Sequence, residues 1–169
     1  MRRFLMVTGV LLPVLFLSAC AAKSVADKRP ALNFKSDLEI YSSKETLSAK
    51  IIRNEAGTQI EITSPESLNG LKISHGSDGN SISKDGLAYK TDKLILPSDS
   101  DIAAIFEILD FMADNIDEEP FFTDNTEMAF IGKVDAGKFE LRADRKTGLI
   151  TEIKIGDKST IKFSNQEKL

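Results

Sequence analysis

Alternation of apolar and polar residues along most of this chain limits what it can fold into. In several short stretches every second residue is apolar, and charged or hydroxylated residues stand between them. A period of two is typical of strands with one dry and one wet face, which belong to antiparallel sheets. The apolar members are Leu38, Ile40, Leu47, Ala49, Ile51, Ile60, Ile62, Leu71, Ile73, Phe139, Leu141, Ala143, Ile153, Ile155, Ile161 and Phe163.

Short segments with glycine, asparagine or aspartate separate these stretches. Such residues tolerate the positive φ that tight turns require. Because the gaps are short, we expect hairpins, a sheet that is largely a meander, and an all-β sandwich or barrel. The predicted turns cover residues 54–57, 78–80, 85–86, 135–137 and 146–148.

One segment breaks the alternation and predicts a helix from Ile102 to Met112. Its apolar residues recur at helical spacing. Ser98 is the predicted N-cap, and Asp99 and Asp101 suit the positive end of the helix dipole. The apolar positions are Ile102, Ile105, Phe106, Leu109, Met112 and Ala113.

The predicted helix is apolar over most of its circumference. Glu107, Asp110 and Asp114 fall on one narrow stripe, whereas Ile108 and Phe111 widen the apolar face. A flat sheet could cover only one side of such a helix. The helix is therefore either wrapped by the sheet or placed over an apolar opening, unless a loop covers its far side.

Phe121 and Phe122 stand between acidic residues and a polar segment, and two interpretations are open. The pair could form a flap over a cavity or contact a partner, because adjacent exposed aromatics favour such roles. Alternatively, one or both rings insert into the core beside the helix and cover its far side.

The N-terminus has the form of a signal peptide that ends at a cysteine. Arg2 and Arg3 precede an apolar stretch over 4–17, and the run Leu17-Ser18-Ala19-Cys20 follows. This run resembles the bacterial lipobox at all four positions. The resemblance implies that the Cys20 thiol is acylated and that cleavage leaves Cys20 first. An ordinary signal with a cysteine by chance near the cut is the alternative.

The domain organisation follows from this motif. Residues 1–19 are the predicted signal peptide, 20–32 the lipidated N-terminus and a flexible tether, and 33–169 one domain. The predicted location is the extracytoplasmic side of the cell envelope. The lipid on Cys20 would hold the protein on the outer face of the cytoplasmic membrane, or on an outer membrane if there are two.

Composition argues against several classes of function. The net charge is −4 at pH 7, and removing Arg2 and Arg3 makes the remainder more acidic, which disfavours nucleic acid as a partner. His75 is the only histidine, and Cys20 the only cysteine. We therefore expect no metal site, no cofactor and no enzymatic activity, with His75 as a solvated residue at a strand end.

The layout as a whole resembles the LolA/LolB/LppX superfamily of envelope proteins. The similarity combines the Cys20 motif, antiparallel strands, the segment 65–70 before another strand, an intervening helix, and the closing segments 139–148 and 153–165. It implies a half-open antiparallel β-barrel with a helical lid or plug, a mainly β fold with one central helix. Family members accept acyl chains or other lipids inside. No residue here is matched to the arginine that locks the lid in the family's lipoprotein carriers.

Two functions remain open at this stage. The first is an apolar ligand, a lipid or acyl chain, bound inside the barrel. The second is a non-enzymatic module with a self-filled barrel that contacts an envelope protein. In the first, the ligand would be lined by Leu38, Ile60, Ile62, Ile105, Leu109, Met112, Phe130, Leu141 and Ile153.

The lipobox generates a direct prediction. Cys20→Ala should abolish labelling of the protein by a radiolabelled fatty acid and leave the precursor uncleaved by the lipoprotein peptidase, because the acylated thiol is gone. Labelling at the wild-type level in this variant would contradict the assignment.

Overall fold

The computed structural model describes residues 29–43, 45–93, 96–97, 99–117, 120–122 and 126–169. The predicted signal peptide, Cys20 and the tether up to residue 28 lie outside the described residues. The strands are β1 (Phe34–Ser42), β2 (Thr46–Asn54), β3 (Gly57–Ser64), β4 (Lys72–Gly76), β5 (Gly79–Lys84), β6 (Leu87–Thr91), β7 (Phe121–Phe122), β8 (Glu127–Val134), β9 (Gly137–Asp144), β10 (Ile150–Ile155) and β11 (Ser159–Lys168), and the helix is α1 (Asp101–Asp114).

The strands form one antiparallel sheet that is not closed. Their order is β6-β5-β4-β3-β2-β1-β11-β10-β9-β8-β7, so that β6 and β7 are its two edges. Neighbours in the order are consecutive in sequence except at the centre, where the first and last strands pair, with Ile40 opposite Ile161. Within the described residues the predicted meander, antiparallel pairing and central helix are confirmed, and a short 3₁₀ helix, Glu66–Leu68, precedes β4. An open sheet with one α-helix fits a half-open barrel.

The register aligns the apolar residues of neighbouring strands on one face. Ile51 lies opposite Ile60, and Ile60 lies opposite Ile73. Residues directly opposite each other in an antiparallel pair point to the same face. All three side chains are almost completely buried, as are Leu38 and Ile161. The alternation in the sequence therefore marks the face of the sheet that builds the core.

Helix α1 lies against this apolar face and is buried nearly all round. The residues that are buried are Ile102, Ala103, Ala104, Ile105, Phe106, Ile108, Leu109 and Met112. At 100° per residue these positions point in almost every direction around the axis. The sheet must therefore curve around the helix, and a one-sided contact with a flat sheet is excluded.

The helix begins later than the sequence predicts. Ser100, and not Ser98, is the N-cap, and its hydroxyl accepts a hydrogen bond from the Ala103 backbone N–H at 3.4 Å. The Ser159 hydroxyl also donates to the Asp101 carboxylate, which joins the first turn of the helix to β11. Because serine occurs at both 98 and 100, capping chemistry alone could not choose between them.

Phe121 and Phe122 are not in a loop as predicted. They form the short edge strand β7, in which Phe121 pairs with Ala129 and Phe122 with Met128. The backbone of this pair therefore forms an edge of the sheet and not a loop over the far side of α1.

Gly132 lets two aromatic rings approach strand β8. It lies opposite Phe139, and the Phe139 ring meets the Phe111 ring of α1 edge-on with centroids 5.4 Å apart. A Cβ added at Gly132 would lie 2.5 Å from the Phe139 ring and 3.0 Å from the Phe111 ring. The absence of a side chain at this position therefore brings the helix close to the sheet.

Substitution of Gly132 should accordingly weaken the helix–sheet contact. We expect Gly132→Ala to lower the free energy of unfolding by about 1–3 kcal/mol, since the methyl group overfills the site. The neighbouring Ile131 is 63% exposed, so Ile131→Thr should stay within about 0.5 kcal/mol of wild type. Urea unfolding of both variants checks this, and equal stability of the two would contradict the contact.

Candidate functional site

The nine residues predicted to line a ligand all lie in one core. They come from strands β1, β3, β8, β9 and β10 and from α1, and each is between 0 and 6% exposed. All of them belong to a single cluster of packed apolar side chains. The structure thus brings together Leu38, Ile60, Ile62, Ile105, Leu109, Met112, Phe130, Leu141 and Ile153 between the sheet and the helix.

Four clefts on the described part of the chain lie away from these nine residues. One of about 510 Å³ lies beside the start of α1 and is lined by Glu45, Asp101 and Lys158 among others. Others, of about 320, 230 and 390 Å³, lie along β1–β3, at the β2–β3 and β4–β5 turns, and near Leu169. None of these four clefts is lined by any of the nine residues, so in this conformation α1 occupies the place predicted for a ligand.

Arg53 is the unexpected residue in this interior. It stands on β2 two positions after Ile51, and only 6% of it is exposed. Its Nη1 donates to the Asp110 carboxylate at 2.9 Å and to the Thr58 hydroxyl at 2.6 Å, while Nη2 donates to the Leu109 carbonyl at 3.0 Å. Two of these three acceptors belong to α1, so the buried cation ties the middle of the helix to the sheet.

His75 joins the same arrangement from β4. Its Nε2 lies 3.0 Å from the second oxygen of the Asp110 carboxylate, and its Nδ1 contacts the Asn80 side-chain oxygen. The ring also lies over Phe106 of α1, with centroids 5.5 Å apart. His75 thus lies near the end of β4, as predicted, but its side chain is 31% exposed and has a partner at both nitrogens, so it is not simply solvated. We call Arg53, Asp110 and His75 the clasp.

The ring nitrogens of His75 face two oxygen atoms. An imidazolium donates to both, whereas a neutral imidazole has one N–H. A neutral ring would need the Asn80 amide to present its NH₂ group instead of its oxygen. In either arrangement both ring nitrogens have a partner, Asp110 at Nε2 and Asn80 at Nδ1.

The clasp belongs to a polar row that crosses the sheet. Arg53 lies opposite Thr58, Thr58 opposite His75, and His75 opposite Asn80. The row runs beside the apolar row of Ile51, Ile60 and Ile73 and on the same face. The sequence signal was present, because each polar residue occupies a position in the apolar phase of its strand. It was missed because the register of the strands was unknown.

Two further findings concern the described residues alone. No group of three or more His, Cys, Asp and Glu side chains among them is arranged to hold a metal ion. None of their helices has both the length and the apolar character that a membrane span would require.

Comparison with known proteins finds a similar fold but shows no family for this chain. No family model and no curated protein matches this chain. An uncharacterized conserved protein from Thermus thermophilus has a similar structure, with a TM-score of 0.50 and 11% identity over 80% of this chain and 78% of that one. Because the identity is so low, this similarity concerns the fold alone.

Two other solved structures show weaker similarity. The LolA superfamily protein NE2245 from Nitrosomonas europaea has a TM-score of 0.40 and 9% identity, over 87% of this chain and 90% of that one. PNGF-II has a TM-score of 0.42 and 9% identity, and the match covers 80% of this chain but 27% of that one. Any function must therefore be inferred from the residues of this chain.

A double-mutant cycle tests whether the clasp joins helix and sheet. Asp110→Asn should lower the free energy of unfolding by about 1–3 kcal/mol, since it leaves a buried guanidinium without its anion. The loss is smaller than for a fully buried pair because 42% of the Asp110 side chain is exposed. In an Arg53→Met background the same change should cost much less.

The matched control is Asp114→Asn, which removes the same charge from an exposed position of α1. It should have the same small effect in both backgrounds. A coupling energy below about 0.5 kcal/mol between Arg53 and Asp110 would show that the clasp contributes nothing to the closed state.

Proposed function

We propose that this protein is a lipid-anchored envelope lipoprotein whose half-open barrel takes up an apolar ligand, a lipid or acyl chain, between α1 and the sheet. The observation that carries the proposal is the place of α1 in the topology. The helix connects β6 and β7, which are the two edges of the open sheet. Displacing α1 therefore breaks no hydrogen bond between strands.

The surface beneath the helix is suited to such a ligand. The strand residues among the nine present a continuous apolar face, and α1 covers it with Ile105, Leu109 and Met112. If the helix moves out, that face requires another apolar cover, because exposing it to water costs about 25 cal/mol per Å². A hydrocarbon chain supplies that cover without needing polar partners.

The N-terminal motif supplies the location. The chain joins the domain where the Ala31 backbone N–H donates to the Gly148 carbonyl and Leu32 packs on the core. A lipid on Cys20 would therefore hold the domain within on the order of 20 Å of the membrane surface. The ligand would then be taken from, or delivered to, the membrane that carries the anchor. The acyl chains hold the protein there durably when two or three are present.

A second candidate is an interaction module that binds an envelope protein. The packed interior favours it, since none of the four clefts is lined by the nine residues. The edge strand β6 also exposes Leu87 and Tyr89, at 79% and 61%. In this alternative the helix stays in place permanently, and neither candidate is an enzyme.

A reversible lock on the helix separates the two candidates. The protein used is residues 21–169, which contain every described contact. The changes Asp101→Cys and Ser159→Cys would allow a disulfide bond between α1 and β11, where the two side chains now meet. The reduced protein should bind the uncharged fluorescent probe N-phenyl-1-naphthylamine. The oxidised protein should bind it at least about tenfold more weakly, because the helix cannot move.

The control pair is Ser74→Cys with Ser81→Cys, which lie opposite each other on β4 and β5 and leave α1 free. Its oxidation should not change probe binding. Equal binding by the locked and unlocked helix, or no binding by either together with no co-purified lipid in native mass spectrometry, would favour the interaction module.

A further inference from the structure

We propose that Arg53, with Thr58 and His75, is a binding site for the anionic head of the ligand, and that Asp110 occupies this site while α1 is closed. The ligand class is a single-chain amphiphile that ends in a carboxylate or a phosphate. This inference rests on the proposed function and adds the chemistry by which the ligand is recognised.

A buried cation is costly once its anion is removed. The Arg53 side chain is 7% exposed, and its one anionic contact among the described residues is the Asp110 carboxylate. An arginine does not lose its proton in a protein, so the charge persists whatever the helix does. When α1 leaves, Asp110 and the Leu109 carbonyl leave together. A guanidinium is then left over an apolar surface without an anion, which is strongly unfavourable.

The groups that remain on the sheet are hydrogen-bond donors suited to an anion. Arg53 keeps both terminal nitrogens, and Thr58 keeps the hydroxyl that now accepts from Nη1. His75 keeps Nε2, which now faces the second oxygen of Asp110. A carboxylate or phosphate in the place of the Asp110 carboxylate would meet Arg53 on one oxygen and His75 on the other. Nη2 of Arg53, which now donates to the Leu109 carbonyl, is then free for a second contact with the head, and a guanidinium group suits such bidentate recognition of carboxylate or phosphate.

The position of the site matches an amphiphile with its head near water. The Asp110 side chain is 42% exposed, so the place that its carboxylate occupies lies at the boundary of the interior. Directly beside it on the same face runs the apolar row of Ile51, Ile60 and Ile73. A head bound at Arg53 would therefore lay its chain along that row, where α1 now packs. A neutral ligand would leave Arg53 unpaired, so the site selects for negative charge.

Three ligands with the same twelve-carbon chain test the inference: laurate, dodecyl phosphate and dodecanol. Each is measured by displacement of N-phenyl-1-naphthylamine from residues 21–169. We expect the wild type to bind at least one anion about tenfold or more tightly than dodecanol, which corresponds to about 1.4 kcal/mol. The order of laurate and dodecyl phosphate identifies which head the site prefers.

Variants of the clasp assign the preference to these residues. Asp110→Asn should raise the affinity for all three ligands several-fold and leave the anion-to-dodecanol affinity ratio unchanged, because it weakens the closed state that every ligand must open. Arg53→Gln should bring that ratio to about one with little change for dodecanol. Asp114→Asn removes the same charge from the exposed part of α1 and should leave all three affinities at their wild-type values.

The failure of this inference differs from the failure of the proposed function. Equal affinities for all three ligands, in the wild type and in Asp110→Asn, would overturn the anion site while the apolar site stands. Displacement by none of the three from a protein that is folded by circular dichroism would overturn both. If Arg53→Gln does not fold, an anion-to-dodecanol ratio of about one in the wild type still overturns the anion site, and unchanged affinities in Asp110→Asn overturn its occupation by Asp110.

Discussion

A guanidinium group buried under a helix is the constraint on which the rest of this structure depends. Arg53 sits on the apolar face of the sheet, where an unpaired charge is not tolerated. The acceptors that satisfy it come from Thr58 on the adjacent strand and from Asp110 and Leu109 on α1. The helix is therefore not simply laid on an apolar surface. Its position along the sheet is set by the requirement that one carboxylate and one carbonyl meet one cation.

The architecture around this contact leaves the helix separable. Burial of α1 is supplied by side chains of both halves of the sheet, which are joined at the centre by the pairing of β1 with β11. The strand ladder is complete without the helix, whose two connections lead to the free edges. Apolar burial is non-directional, whereas the hydrogen bonds of Arg53 are directional. Apolar burial thus supplies most of the free energy that holds α1 on the sheet, and the clasp fixes the position of the helix along the sheet.

The sequence predicted the regular part of this fold because its signals are local. Ile60 and Ile73 are buried where alternation puts them, and the helix over Ile102–Met112 lies within the observed α1. The sequence analysis predicted Ser98 as the N-cap, but the N-cap is Ser100, and Phe121 and Phe122 form an edge strand and not a loop. Neither outcome is determined by neighbouring residues alone. The predicted apolar residues did converge, but the sequence could not show that the helix would fill the space they enclose.

The clasp could not be predicted because it depends on register. Arg53, His75 and Asp110 are far apart in sequence, and each has an ordinary surface interpretation when considered alone. Strand pairing puts Arg53 and His75 on either side of Thr58, and the turn of α1 brings Asp110 above them. A polar residue in the apolar phase of a strand is the usable signal, and four consecutive strands of this sheet, β2 to β5, carry one.

The central claim is that α1 is a lid that opens as a unit while the sheet stays folded. Native-state hydrogen exchange measures this directly, because it gives the opening free energy of each amide. If α1 is such a lid, its amides share one opening free energy, clearly lower than that of the central strands β1, β2 and β11. Exchange of the α1 amides only through global unfolding, with the same free energy as those strands, would contradict the claim and make the helix a permanent part of the core.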